Sequence, residues 1–106
     1  RVLYIKTGIK KNFAILDAGM TELIRPILYQ AHHEIANITS KSKEIEKYDV
    51  VGPICESTDC FARDLELPTT NRNDLFVIKS AGAYGEVMAS NYNLKTLYPG
   101  VYSDKI

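Results

Sequence analysis

Three short stretches carry side chains whose types and spacing could do chemistry. "LIRPILY" puts Arg25 directly before a proline and Tyr29 four residues further on. Proline disfavours the helical conformation in the residue before it, so Arg25 is expected at the mouth of a short helix rather than inside it. The four-residue spacing then puts Tyr29 on roughly the same side. Together they could hold a carboxylate, since a guanidinium offers a planar bidentate fork. The plainer reading is a surface arginine beside a tyrosine packed on the core. On spacing alone that reading leads, because such pairs are common on helices.

"GPICESTDC" sets Cys55 beside Glu56 directly after a turn. A free thiol has a pKa of about 8.5, so at neutral pH it is mostly protonated and can donate a proton as well as attack. Glu56 could recognise a cation, while Asp59 and Asp64 could hold the loop by accepting backbone N–H bonds. The plainer reading is a buried cysteine, one of the most buried residue types. In "AGAYG", Gly82, Ala83 and Gly85 carry little or no side chain, so a ligand could approach the backbone. Tyr84 would project from that turn with its hydroxyl free to donate. Locally, a plain glycine turn with a half-buried tyrosine explains it as well. His32 and His33 are adjacent, so they diverge on a strand or a helix, and no third ligand recurs at metal spacing; a metal site is not expected.

These groups need elements to hold them. Val2–Lys6 and Phe13–Asp17 read as a hairpin around a basic turn from Gly8 to Asn12. Pro26 suits the first turn of a short helix running to about Ala31. His33–Thr39 returns to strand-like alternation, Ser40–Lys47 is a charged loop, and Tyr48–Val51 is an apolar strand ended by Gly52–Pro53. Residues 57–63 read as one or two helical turns capped by Ser57. Leu67–Asn73 is a turn-rich loop and Leu75–Lys79 a strong strand. Residues 80–85 form a small-residue turn, Val87–Asn91 a strand or a helical turn, and Leu97–Tyr102 a last strand interrupted by Pro99–Gly100. Many short strands with turns between them predict a mainly β domain, an antiparallel barrel or sandwich with short helices.

The chain has 106 residues, about one domain, and 45% of them are hydrophobic, enough for one core. Thirteen basic residues balance thirteen acidic ones, which argues against an electrostatic grip on nucleic acid or an anionic membrane. No apolar run approaches the roughly 20 residues that span a bilayer. Two cysteines five positions apart are too few and too close for a disulfide framework, and read as reduced thiols in a cytosolic protein.

The stretches "RVLYIK", "FAILDAGMTELIRPILYQAHHEI", "DVVGPICESTDCFARDLELP" and "AGAYGEVMASNYN", in this order, resemble the carboxy-terminal β-domain of diaminopimelate decarboxylases. These belong to the pyridoxal-phosphate decarboxylases built from a TIM-like barrel plus a β-domain. The resemblance implies decarboxylation of meso-2,6-diaminopimelate to L-lysine in a cytoplasmic homodimer with shared active sites. It implies that Arg25 and Tyr29 bind the substrate's carboxylate end. Cys55 and Glu56 would reach the partner's site, Cys55 as proton donor and Glu56 on the distal ammonium. Tyr84 would bind substrate as well and would lie by the pyridoxal phosphate and its phosphate group. The family's Schiff-base lysine, glycine loop and stacking histidine belong to the barrel, and no lysine here lies in a matching motif. Residues 1–106 are therefore expected to be a single β-domain, entered partway through a longer protein and inactive alone. After Asn93, "LKTLYPGVYSDKI" departs from the family pattern. Two competing readings stand: a decarboxylase acting on ornithine or arginine, whose members typically place aspartate after the cysteine, and a non-catalytic dimerisation module.

Overall fold

The computed structural model describes residues 1–54 and 56–105, Lys105 by its backbone alone. The opening hairpin forms as expected. Strand β1 (Val2–Thr7) pairs antiparallel with β2 (Asn12–Leu16). The Gly8 N–H donates to the Lys11 carbonyl at 2.9 Å. A Cβ at position 8 would lie 2.5 Å from that same oxygen, so the turn requires glycine. Helix α1 (Arg25–Tyr29) follows, with Pro26 in its first turn and Gln30 ending it in the left-handed region at φ 54°. Strands β3 (Ile35–Asn37), β4 (Ile45–Val51), β5 (Cys60–Pro68) and β6 (Phe76–Ile78) complete the framework.

One sheet has the order β1-β2-β4-β5, and β3 and β6 form a second. Every pairing is antiparallel except β2 with β4, which run parallel, so the larger sheet is mixed. The mainly β class with short helices holds. Both sheets and the segment leading into α1 share one core, which includes Val2, Ala14, Leu16, Leu23, Ile35, Tyr48, Val50, Phe61 and Leu67. Burying each of its valine, leucine, isoleucine and phenylalanine side chains contributes roughly 1.5–3 kcal/mol, which helps hold the strands in register.

Three expectations change. Residues 57–63 are not helical: a turn leads into β5, whose Cys60 and Ala62 pair with Val51 and Val50 of β4. Ladder bonds on an apolar neighbour outweigh the local capping signal of Ser57. The loop expected over Ser40–Lys47 ends early, because β4 starts at Ile45 and its exposed Glu46 and Lys47 pair with Leu67 and Glu66. A solvated strand end has the composition of a loop. Leu97–Tyr102 forms no strand; the described residues after β6 hold only turns and two 3₁₀ segments, Tyr92–Leu94 and Ser103–Lys105. Among the described residues, no helix is long and apolar enough to cross a membrane.

In β4 the burial runs through Tyr48, Asp49 and Val50 in succession. The Asp49 carboxylate is compensated from three sides. It meets the Lys11 ammonium at 3.0 Å, Arg63 at 3.6 Å and the Asp64 backbone N–H at 2.9 Å. A buried carboxylate without such partners costs several kcal/mol. The Asp49 hydrogen bond in turn holds the Lys11 ammonium above its ordinary pKa, against the opposing effect of desolvation. Asp64 does not hold the 52–59 loop. It sits in β5 at φ 52°, with its carboxylate 3.4 Å from Lys11.

Candidate functional site

Arg25 stands at the first position of α1, half-buried, with its backbone carbonyl accepting from Gln30 and Ala31 at the helix end. Its guanidinium carbon lies 5.8 Å from the ring centroid of Tyr29 and 5.8 Å from that of Tyr84. Tyr29 is 58% exposed and Tyr84 63%, so the cation sits between two aromatic faces on an open surface. Each such contact is worth about 0.5–1 kcal/mol at an exposed position. The larger consequence is geometric: two rings limit where the guanidinium fork can point.

Tyr84 reaches Arg25 because its backbone is left-handed, at φ 63°. A non-glycine residue in that region must be held by its surroundings. Here the Met88 N–H donates to the Tyr84 carbonyl at 3.2 Å. The neighbouring Gly85 is buried, and a Cβ there would lie 2.1 Å from the Ala81 carbonyl oxygen. A Cβ at Gly82, by contrast, would meet nothing within 4 Å.

Glu56 makes a different set of contacts. Its carboxylate accepts from the Tyr92 hydroxyl in a short hydrogen bond and from the Thr58 hydroxyl at 3.2 Å. Tyr92 was invisible as a site residue in the sequence. It lies within "ASNYN", but no local spacing links it to Glu56. Cys55, the proton donor implied by the resemblance, lies outside the described residues.

The loop that carries Glu56 is built around Asp59, which is 3% exposed. One of its carboxylate oxygens accepts from the Ile54 N–H at 2.7 Å and the other from the Met20 N–H at 2.7 Å. Its backbone carbonyl accepts from Gly52 at 2.9 Å, and its N–H donates to the Glu56 carbonyl at 3.1 Å. Burial pushes the Asp59 carboxyl above its ordinary pKa, and the two backbone donors partly oppose that. Two glycines make room for the carboxylate: a Cβ at Gly52 would lie 2.4 Å from both oxygens, and one at Gly19 would lie 2.9 Å from the nearer.

The remaining thiol, Cys60, is half-buried and free, and burial pushes its pKa up. The imidazole of His33 donates through Nδ1 to the Lys79 carbonyl at 3.0 Å, tying the approach to β3 to the end of β6. A groove of about 470 Å³ between α1 and β5, lined by Pro26, Ile27, Gln30, Cys60, Phe61 and Leu65 among others, includes none of Arg25, Tyr29, Glu56 and Tyr84. Tyr29, Glu56 and Tyr84 are exposed and Arg25 is half-buried.

The family model for the C-terminal sheet domain of pyridoxal-dependent decarboxylases matches residues 1–82. The chain belongs to this family. It is 58% identical over its whole length to the diaminopimelate decarboxylase of Bacteroides thetaiotaomicron, and 51% identical over 94 residues to that of Helicobacter pylori. It spans only 27% and 23% of those two proteins, about a quarter of their length. Among solved structures it resembles the diaminopimelate decarboxylase of M. jannaschii, with a TM-score of 0.85 and 39% identity over 90% of this chain and 22% of that one. It also resembles the Helicobacter pylori enzyme complexed with L-lysine, with a TM-score of 0.80 and 49% identity over 88% of this chain and 23% of that one.

Proposed function

We propose that this chain is the carboxy-terminal sheet domain of a diaminopimelate decarboxylase. The enzyme removes one carboxylate of meso-2,6-diaminopimelate as carbon dioxide and leaves L-lysine. The observation that carries the reading is Arg25 held between the rings of Tyr29 and Tyr84, a fork aimed by aromatic walls and open to a ligand. The similarity to proteins named for this activity supports it.

Because the product is L-lysine, the reaction takes the carboxylate from the D-centre and spares the L-centre. The spared end carries a carboxylate and an ammonium. Arg25 holds that distal carboxylate, with Tyr29 beside it. Glu56, its carboxylate steadied by Tyr92 and Thr58, pairs with the distal ammonium. Reading both charges is what separates diaminopimelate from ornithine or arginine, and a glutamate after the cysteine together with Arg25 favours that substrate. Cys55 donates the proton that replaces the departed carboxylate, as a mostly neutral thiol can.

The residues here also fit pyridoxal phosphate, along one edge. Tyr84 is exposed at the tip of a turn where Gly82 leaves open space for a ligand to approach the backbone. Its hydroxyl would donate to the cofactor on the phosphate side. When bound, pyridoxal phosphate supplies an electron sink for the carbanion left by decarboxylation. The lysine that holds it belongs to an amino-terminal barrel. The enzyme is a cytoplasmic homodimer in which Cys55 and Glu56 serve the partner's site.

The test uses the full-length, cofactor-loaded protein, with carbon dioxide release and amine product measured on meso-diaminopimelate, L-ornithine and L-arginine. The expected result is L-lysine formation with a kcat/KM at least about 100-fold above that for the other two, since a site with polar groups placed for a second carboxylate rejects substrates lacking it. Equal or faster turnover of ornithine or arginine would overturn the assignment.

A further inference from the structure

We propose that Tyr92 is a positioning residue that fixes Glu56 for the substrate's distal ammonium, and that it does so in the partner subunit's site. The inference rests on the reading that Glu56 pairs with that ammonium and reaches across the dimer. Glu56 stands on an exposed turn, and a glutamate side chain gives up much rotamer freedom when it is fixed. Two hydroxyls fix it here. Tyr92 donates to one carboxylate oxygen and Thr58 to the other. A carboxylate offers about four lone-pair sites, so an acceptor remains on each oxygen for an ammonium. Thr58 lies two residues from Glu56 and shares its turn, whereas Tyr92 comes from 36 residues away and ties the carboxylate to the rest of the domain. A side chain fixed in advance loses less freedom when its ligand arrives, which is how such a tie favours binding.

The backbone on both sides holds that ring in place. Before it, the Ser90 N–H donates to the Thr21 carbonyl at 2.9 Å, and Thr21 is 2% exposed. After it, Asn93 and Leu94 are both left-handed, at φ 55° and 59°. Leucine has no polar side-chain group to favour that conformation, and Leu94 is almost fully exposed, so burial does not impose it. The turn is closed by the Lys95 N–H on the Tyr92 carbonyl at 3.3 Å and by the Asn91 side chain on the Lys95 carbonyl at 2.9 Å. Backbone in this sparsely populated region collects where the surroundings must aim a side chain. In "YGEVMASNY", Tyr84 meets Arg25 and Tyr92, eight residues on, meets Glu56. The two tyrosines of one chain thus serve different sites of the dimer.

The experiment measures kcat/KM of full-length, cofactor-loaded wild type and Tyr92→Phe on three substrates. Meso-diaminopimelate carries both distal charges, D-2-aminopimelate lacks the distal amine, and D-lysine lacks the distal carboxylate. Tyr92 is 46% exposed, so removing its hydroxyl leaves no buried gap. The substitution removes one hydrogen bond to a charged group, and the preference for diaminopimelate over D-2-aminopimelate should fall about tenfold. The preference for diaminopimelate over D-lysine and the cofactor absorbance should stay nearly unchanged. A lower melting temperature with the first preference intact would make Tyr92 a structural residue and overturn the proposal. Hybrid dimers, purified through different tags, then join a Tyr92→Phe subunit to one whose barrel lysine is replaced. Their one working site takes its lysine from the first subunit and its Tyr92 from the second, so it should show the wild-type preference. A hybrid with the variant's preference would put Tyr92 in its own subunit's site and overturn the proposal. A wild-type protein with no preference for diaminopimelate over D-2-aminopimelate would instead refute the pairing of Glu56 with the ammonium, and the inference with it.

Discussion

The guanidinium of Arg25 and the ring of Tyr84 meet with 5.8 Å between carbon and centroid, although four strands lie between them in the sequence. The contact joins the group assigned to the substrate's carboxylate with the group assigned to the cofactor. Its two halves can be separated by substitution. Tyr84→Phe keeps the aromatic face and removes only the hydroxyl. It should weaken pyridoxal phosphate binding about 3- to 30-fold in the full-length protein, the range for losing one hydrogen bond of ordinary to charge-assisted strength. The KM for diaminopimelate should change little. Tyr84→Ala should impair both. A spectrophotometric cofactor titration beside steady-state kinetics reads the two effects separately.

The turn that presents Tyr84 depends on Gly85. A methyl group there would meet the Ala81 carbonyl oxygen at 2.1 Å, so backbone must shift. Gly85→Ala should therefore cost about 1–3 kcal/mol in urea unfolding. It should also disturb cofactor binding, whereas Gly82→Ala, at a position with open space, should leave stability nearly unchanged.

Much of this arrangement was legible in the sequence. Pro26 marked the start of α1 and put Arg25 at its mouth, and the alternation in Val2–Lys6 and Phe13–Asp17 marked the hairpin. The meeting of Arg25 with Tyr84 was not legible, because nothing near either residue encodes a contact made through the whole sheet. The same holds for Tyr92 and Glu56. Residues 57–63 misled for a related reason: Ser57 is a good helix cap locally, but pairing of Cys60 and Ala62 with β4 decides the conformation. Asp59 was read correctly as a loop anchor, since an acidic residue in a turn commonly accepts backbone N–H bonds. Its second bond, to Met20, is long-range and carried no local signal.

Asp74 makes stability depend on acid. Burial raises its pKa, but the N–H of Asn71 and the side chains of Asn37 and Thr39 donate to the carboxylate and together hold it below its ordinary value of 3.8. A carboxyl with a depressed folded pKa adds stability that is complete above 3.8 and is lost as pH falls through the lower folded value. Thermal midpoints should therefore fall with pH below about 4 in the wild type. In Asp74→Asn they should start lower near neutral pH and fall less steeply in acid.

Cys55 is assigned to the partner's site, and mixing subunits tests that. Cys55→Ala subunits should keep cofactor absorbance and lose about 10²- to 10⁴-fold in turnover, the usual contribution of a positioned acid. Combined with subunits whose barrel lysine is replaced, they should regain partial activity, from the one site that joins an intact lysine with an intact Cys55. No recovery would put Cys55 in its own subunit's site. Lowered stability with unchanged turnover per folded molecule would make it a packing residue.

The most direct test of the whole account is the kcat/KM of Arg25→Ala on two substrates in the full-length enzyme. Meso-diaminopimelate and D-lysine share the D-centre and the distal amine, and differ in the distal carboxylate that Arg25 is assigned to hold. Losing a charge-assisted pair in a desolvated site costs on the order of 2–5 kcal/mol, about 30- to 5,000-fold. The account predicts a loss of that size for diaminopimelate, little loss for D-lysine, and an unchanged affinity for pyridoxal phosphate. Equal losses on the two substrates would contradict it.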